Sequence, residues 1–158
     1  MSSADKNLSD FLAQNLPDVS NKKFAIVVSE WNQEVTDALY EGAYKTLLVY
    51  GAKPEHIVKA EVPGSFELSL GAQVFAQKPE IDAVICLGCV IQGETKHFDF
   101  ICHAVAQGIT QVSLKYNKPV IFGVLTPNNQ EQALARAGGI HGNKGDEAAF
   151  TAIKMLGL

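Results

Sequence analysis

The densest chemistry in the chain lies in ICLGCVIQGETKHFD, residues 85–99. Cys86, Leu87, Cys89, Val90 and Ile91 form an apolar run of strand length that leads into a glycine loop and then a helix start. Gly88 and Gly93 let the backbone come close to a ligand. Thr95 is read as the N-cap of the helix that follows, with His97 in the first turn. Free main-chain N–H groups and the positive end of the helix dipole favour an anion in that loop. A titratable imidazole beside an anion hole suits proton transfer on a phosphorylated substrate. The helix N-terminus also disfavours the imidazolium, leaving His97 neutral and able to accept a proton. The bland alternative is a surface histidine.

Other residues carry weaker signals. Arg136 and Lys144 bracket the glycine-rich turn AGGIHGNKG, which reads either as a phosphate clamp or as a turn with solvated cations. It is not a Walker loop, because Asn143 separates Gly142 from Lys144 and no Ser or Thr follows. His141 lies inside this turn and is kept in reserve, whereas His56 and His103 have no such setting. Trp31, the single tryptophan, directly follows a strand and is either core or a stacking platform for a planar ligand. Phe66 and Phe122 are core or pocket, and Glu67 is a pocket residue or a complement to a helix dipole. A zinc site from Cys86, Cys89, His97 and Cys102 is disfavoured, since strand residues three apart point to opposite faces. Cys86 and Cys102 read better as core cysteines.

These residues need a scaffold, and the pattern alternates strand and helix. Strands are expected over 24–29, 57–62, 83–91 and 119–125. Val35, Leu39, Ala43 and Leu47 mark one helix, ended near Gly51. Phe98, Ile101, Cys102, Val105, Ile109 and Val112 mark another. Residues 65–77 alternate ambiguously, but their Ala, Gln and Glu content favours helix. Two closing helices are expected over 131–137 and 146–156. Apolar strands separated by helices imply a parallel sheet covered on both faces, with ligands beyond the carboxyl ends of the strands. That rule gathers Glu30-Trp31-Asn32, Pro63 to Glu67 and Cys89 to His97 into one place. Residues 1–20 read as a flexible N-terminal arm and residues 21–158 as a single domain.

Composition narrows the field. The chain has 158 residues, is 47% hydrophobic and carries a net charge of −4 without a basic run, so nucleic acid is an unfavoured partner. No apolar stretch approaches the ~20 residues of a membrane span, and the N-terminus lacks the pattern of a secretory signal. Three cysteines, an odd number, point to a reducing cytoplasm rather than a disulfide framework.

Taken together, the Trp31-Asn32 pair, VPGSFEL at 62–68, LGCVIQGETKHFD at 87–99, PVIFGVLT at 119–126 and ARAGGIHGNKG at 135–145 resemble the lumazine synthase family of riboflavin biosynthesis. The resemblance implies a flavodoxin-like αβα sandwich around a four-stranded parallel sheet. It implies condensation of 5-amino-6-ribitylamino-2,4(1H,3H)-pyrimidinedione with 3,4-dihydroxy-2-butanone 4-phosphate, without metal or organic cofactor. By position, Trp31 matches the aromatic residue stacked on the pyrimidine, and Ser65, Phe66 and Glu67 match the segment holding the ribityl chain. Cys89, Val90 and Ile91 match the edge along the heterocycle. Glu94, Thr95 and Arg136 match phosphate-binding positions, and His97 matches the proton-transfer residue. Phe122 and Lys144 match pocket positions reached from a neighbouring subunit. The family implies a homopentamer with sites between subunits and, in some members, a sixty-subunit icosahedral shell. The compact turn at 138–145 is the type associated with shells, and association with riboflavin synthase is left open. Departures are Gln92 where arginine is frequent, Trp31 for phenylalanine, Cys89 for threonine, and Gly139-Ile140-His141 for a Thr-Lys-Ala type of sequence. Two other classes compete with the enzyme: a lumazine- or flavin-binding module without turnover, and a scaffold of flavodoxin-like shape.

Overall fold

The computed structural model describes residues 16–158. Four fully parallel strands form the central sheet: β1 (Phe24–Ser29), β2 (Ile57–Val62), β3 (Ala83–Cys89) and β4 (Val120–Leu125). Their order is β2-β1-β3-β4, so the chain reverses its direction of winding between β1 and β3. This is the flavodoxin-like arrangement with its switch point at that pair.

Period-two alternation divides the buried residues into two layers. Phe24, Ile26, Val28, Ile85, Leu87 and Cys89 face helices α1 (Gln33–Val49) and α5 (Lys144–Met155). Ala25, Val27, Val84, Cys86, Val120 and Val124 face helices α2 (Leu68–Ala76) and α3 (His97–Tyr116). Covering both faces is why β1 and β3 read as continuous apolar runs. It also puts Cys86 and Cys89 on opposite faces, as their spacing requires. The edge strand β2 mixes exposed and half-buried positions and carries the Lys59–Glu61 ion pair at 2.7 Å. Charges there discourage edge-to-edge pairing.

The helix over 65–77 is present, as a 3-10 turn at Ser65–Glu67 running into α2. α1 buries Val35, Leu39, Ala43 and Leu47, and Gly51 beyond it has φ +98°. Several boundaries differ from expectation. β3 ends at Cys89, although Val90 N–H still donates to the Leu125 carbonyl at 2.8 Å and Gln92 N–H to that of Pro127 at 3.0 Å. The helix expected over 131–137 is only α4 (Gln130–Leu134). Gly138 (φ +109°) and Gly142 (φ +71°) adopt left-handed geometry, and the chain makes a small antiparallel hairpin of β5 (Ala137–Gly139) and β6 (Gly142–Asn143). Asn143 caps α5, its Oδ1 accepting the Gly145 N–H at 2.8 Å, so that helix begins earlier than residue 146. Of the arm expected over 1–20, residues 1–15 lie outside the described residues. Leu16 packs on the core and Val19 is fully buried in it, which an arm reaching residue 20 would not do.

Candidate functional site

Parallel strands deliver all of their carboxyl ends to one edge of the sheet, and the loops there are tied to one another. Glu30 N–H donates to the Val62 carbonyl at 2.8 Å and Trp31 N–H to the Pro63 carbonyl at 3.2 Å. Asn32, at φ +63°, donates from Nδ2 to the Cys89 carbonyl at 2.8 Å. One left-handed residue thus pins the β1 loop across the switch point to the end of β3. Asparagine tolerates that backbone region better than most residues. The motif pair at 31–32 marked the position, but nothing in the spacing revealed the side-chain tie to Cys89.

Trp31 is 73% exposed, which removes the core reading and leaves an open indole face beside these loops. Phe66 is 54% exposed on the neighbouring 3-10 turn, and Glu67 is exposed with it. Ser65 is buried; its hydroxyl and that of Ser29 have no hydrogen-bond partner among the described residues. Both flank Gly88. A Cβ there would lie 2.6 Å from Ser65 Oγ, 2.9 Å from Leu68 Cδ1 and 3.3 Å from Ser29 Oγ. Gly88 therefore serves internal packing of the 3-10 turn on the sheet, not approach to a ligand as its sequence context suggested. Gly93 has open space around it and keeps the loop role.

Burial pushes the thiol of Cys89 up to about 11 and that of Cys86 up to about 12, and it raises that of Cys102. All three stay protonated at neutral pH, so Cys89 offers backbone and shape rather than a nucleophile. Val90 and Ile91 follow it half-buried, and Glu94, Thr95 and His97 are exposed.

Thr95 does not occupy the cap. Lys96 does, in helical geometry and without a side-chain cap bond. The Thr95 hydroxyl, one residue before that cap, still accepts the His97 N–H at 3.4 Å, the kind of bond expected of a cap at Thr95. α3 still presents the N-terminus of a 20-residue helix, with its positive dipole end, to the carboxyl edge. The arrangement supports an anion beside His97.

Phe122, Arg136 and Lys144 form a second group. They line a groove of about 880 Å³ along the outer side of β4, together with Gln132, His141 and Glu147. None of Trp31, Ser65, Phe66 and Glu67 lines it. One chain therefore brings the expected site residues together as two clusters rather than one. Phe122 is 43% exposed on the edge strand. Arg136 donates from Nη1 to the Gln132 carbonyl at 3.1 Å and forms no salt bridge among the described residues. Lys144 is paired with Glu147, a buried carboxylate one helical turn along α5. Sequence reasoning missed Glu147; the i,i+3 spacing from Lys144 was the available signal.

Comparison with known proteins then places the chain. The family model described as 6,7-dimethyl-8-ribityllumazine synthase matches residues 21–158. A curated relative of that name from Cytophaga hutchinsonii is 65% identical, the match covering 99% of this chain and 98% of the relative. One from Parabacteroides distasonis is 53% identical, with coverage of 99% and 98%. One from Flavobacterium johnsoniae is 50% identical, with coverage of 98% and 82%.

Proposed function

The chain belongs to the 6,7-dimethyl-8-ribityllumazine synthase family, and we propose that it condenses 5-amino-6-ribitylamino-2,4(1H,3H)-pyrimidinedione with 3,4-dihydroxy-2-butanone 4-phosphate. The amine attacks the ketone and water leaves as the imine forms. Phosphate is then eliminated, the second amine closes the ring, and a further dehydration gives the lumazine. The observation that carries the reading is the exposed Trp31 indole at the carboxyl edge where the N-terminus of α3 presents His97.

Trp31 stacks on the pyrimidine, Ser65, Phe66 and Glu67 hold the ribityl chain, and Cys89, Val90 and Ile91 border the heterocycle. Glu94, Thr95 and Arg136 receive the phosphate. His97 moves the protons that imine formation and elimination require. Orientation of the two substrates supplies much of the rate. Phe122, Arg136 and Lys144 complete the site from a neighbouring subunit in a homopentamer. This is supported by their lying in the β4 groove, which the β1 and β2 loop residues do not line. No helix is long and apolar enough to cross a membrane among the described residues. We place the enzyme in the cytoplasm and treat the chain from residue 21 to 158, together with the core-packed Leu16 and Val19, as its one domain. Packing of pentamers into a shell and association with riboflavin synthase follow the family and are part of the same proposal.

The test is an absorbance assay for the lumazine chromophore, corrected for the uncatalysed condensation. Wild-type protein is expected to exceed background. His97→Ala is expected to lower turnover about 100-fold with an unchanged circular dichroism spectrum. Wild-type rates at background would overturn the reaction, and an undiminished His97→Ala would overturn the role of the imidazole.

A further inference from the structure

We propose that His141 is a second phosphate ligand, working with Arg136 in the β4 groove to select the phosphorylated substrate; the inference rests on the reaction proposed above and deepens it. The argument is one of charge and placement. Lys144 is matched by Glu147, with side chains only 19% and 9% exposed, so that pair adds little net charge to the groove. Arg136 has given one N–H to the Gln132 carbonyl and has no carboxylate partner among the described residues. Four guanidinium donors remain of the five. A phosphate monoester carries roughly −1.5 to −2 charge and three acceptor oxygens, so the Glu94–Thr95 loop and one guanidinium leave acceptor capacity for a further donor on the groove side.

His141 is the remaining donor-bearing ring lining the same groove. The hairpin puts it there. His141 N–H donates to the Ala135 carbonyl at 2.8 Å and Lys144 N–H to the Arg136 carbonyl at 2.9 Å, which folds the tip back beside Arg136. Left-handed Gly138 and Gly142 make the reversal tight. At that tip Ile140 is 88% exposed and does not line the groove, while His141 is half-buried and does. An imidazole carries a ring N–H whether neutral or charged, so the contact does not depend on its ionisation.

Steady-state kinetics and calorimetric titration with inorganic phosphate test this on the full chain. His141→Leu is expected to raise KM for the butanone phosphate about tenfold and to weaken phosphate binding by a similar factor. KM for the pyrimidine and kcat are expected to hold within about twofold, because the ring contacts only the phosphate. His141→Gln keeps an N–H donor and is expected to stay within about threefold of wild type. Should leucine unfold the hairpin, His141→Ala serves the same comparison. Unchanged KM and phosphate affinity would overturn the proposal, as would equal rises for both substrates. A wild-type protein without turnover, but with a phosphate affinity that His141→Leu loses, would sink the reaction while sustaining the ligand. Loss of neither rate nor phosphate affinity in any variant would overturn His141.

Discussion

Arg136 stands half-buried on the short segment between α4 and the hairpin, its backbone N–H on the Ala133 carbonyl and its Nη1 on that of Gln132. Those two bonds fix the base of the side chain and leave most of the guanidinium for an anion. Arg136→Ala is therefore expected to raise KM for the butanone phosphate about 10- to 100-fold, with a much smaller change for the pyrimidine. Initial rates with each substrate varied in turn measure this, and equal effects on both would argue against a phosphate ligand. Trp31 and Cys89 differ in what they present at this edge: the indole leaves an open face, whereas the Cys89 thiol is pushed up to about 11 and its carbonyl accepts from the Asn32 amide.

Between elements, glycines set the closest approaches. At Gly88 the 3-10 turn bearing Phe66 and Glu67 rests directly on β3. Gly88→Ala is expected to lower the free energy of unfolding by about 1–3 kcal/mol, because Ser65 and Leu68 must both move. A urea midpoint equal to wild type would refute that packing account. α5 crosses α1 at a comparable contact. A Cβ on Gly145 would come within 1.9 Å of the Leu39 carbonyl oxygen, and one on Gly42 within 2.3 Å of Asp146 Oδ1. Burial at this crossing raises Asp146 from its ordinary value; the charge of Glu147 adds to the rise, while a hydrogen bond with Thr46 and the charge of Lys45 oppose it. A carboxyl raised on folding adds stability below its unfolded pKa and loses it as pH climbs through the folded value. Asp146→Asn keeps an acceptor for Thr46. It is expected to raise the midpoint of thermal unfolding at pH 7 relative to wild type, with the difference fading toward pH 3. A difference independent of pH would show that the charge is not the cause.

For the assembled molecule, the division of the site into two clusters has a testable consequence. His97 lies at the carboxyl edge, and Arg136 lies in the groove along β4. If neighbouring subunits complete each site, His97→Ala and Arg136→Ala protomers complement one another. Co-assembled in equal amounts, they are expected to form about a quarter of their sites with both residues intact and to recover activity accordingly. Activity no higher than the average of the separate variants would confine the site to one chain.

Much of the fold was legible before any coordinates. The strands at 24–29 and 57–62, the buried faces of α1 and α3 and the helical character of 65–77 follow from periodicity, because burial on one or both faces dictates which positions are apolar. The gathering of Trp31, Ser65 and His97 at one edge follows from the parallel sheet. Their chemistry was legible because glycine, histidine and helix-start residues were adjacent in the chain. What the sequence could not determine were contacts between distant segments with no periodic trace. The Asn32 amide on the Cys89 carbonyl, the packing of Gly88 under Ser65, and the hairpin that cuts the helix expected over 131–137 depend on which loops the fold sets side by side. The choice between solvated turn and lined groove for Arg136, His141 and Lys144 was likewise tertiary. Only the packing of α5 on β4 and of the hairpin on α1 puts those residues on one wall, since convergence of side chains from different elements is a property of three-dimensional packing; the Lys144–Glu147 pair, i,i+3 on one helix, was within reach of spacing alone.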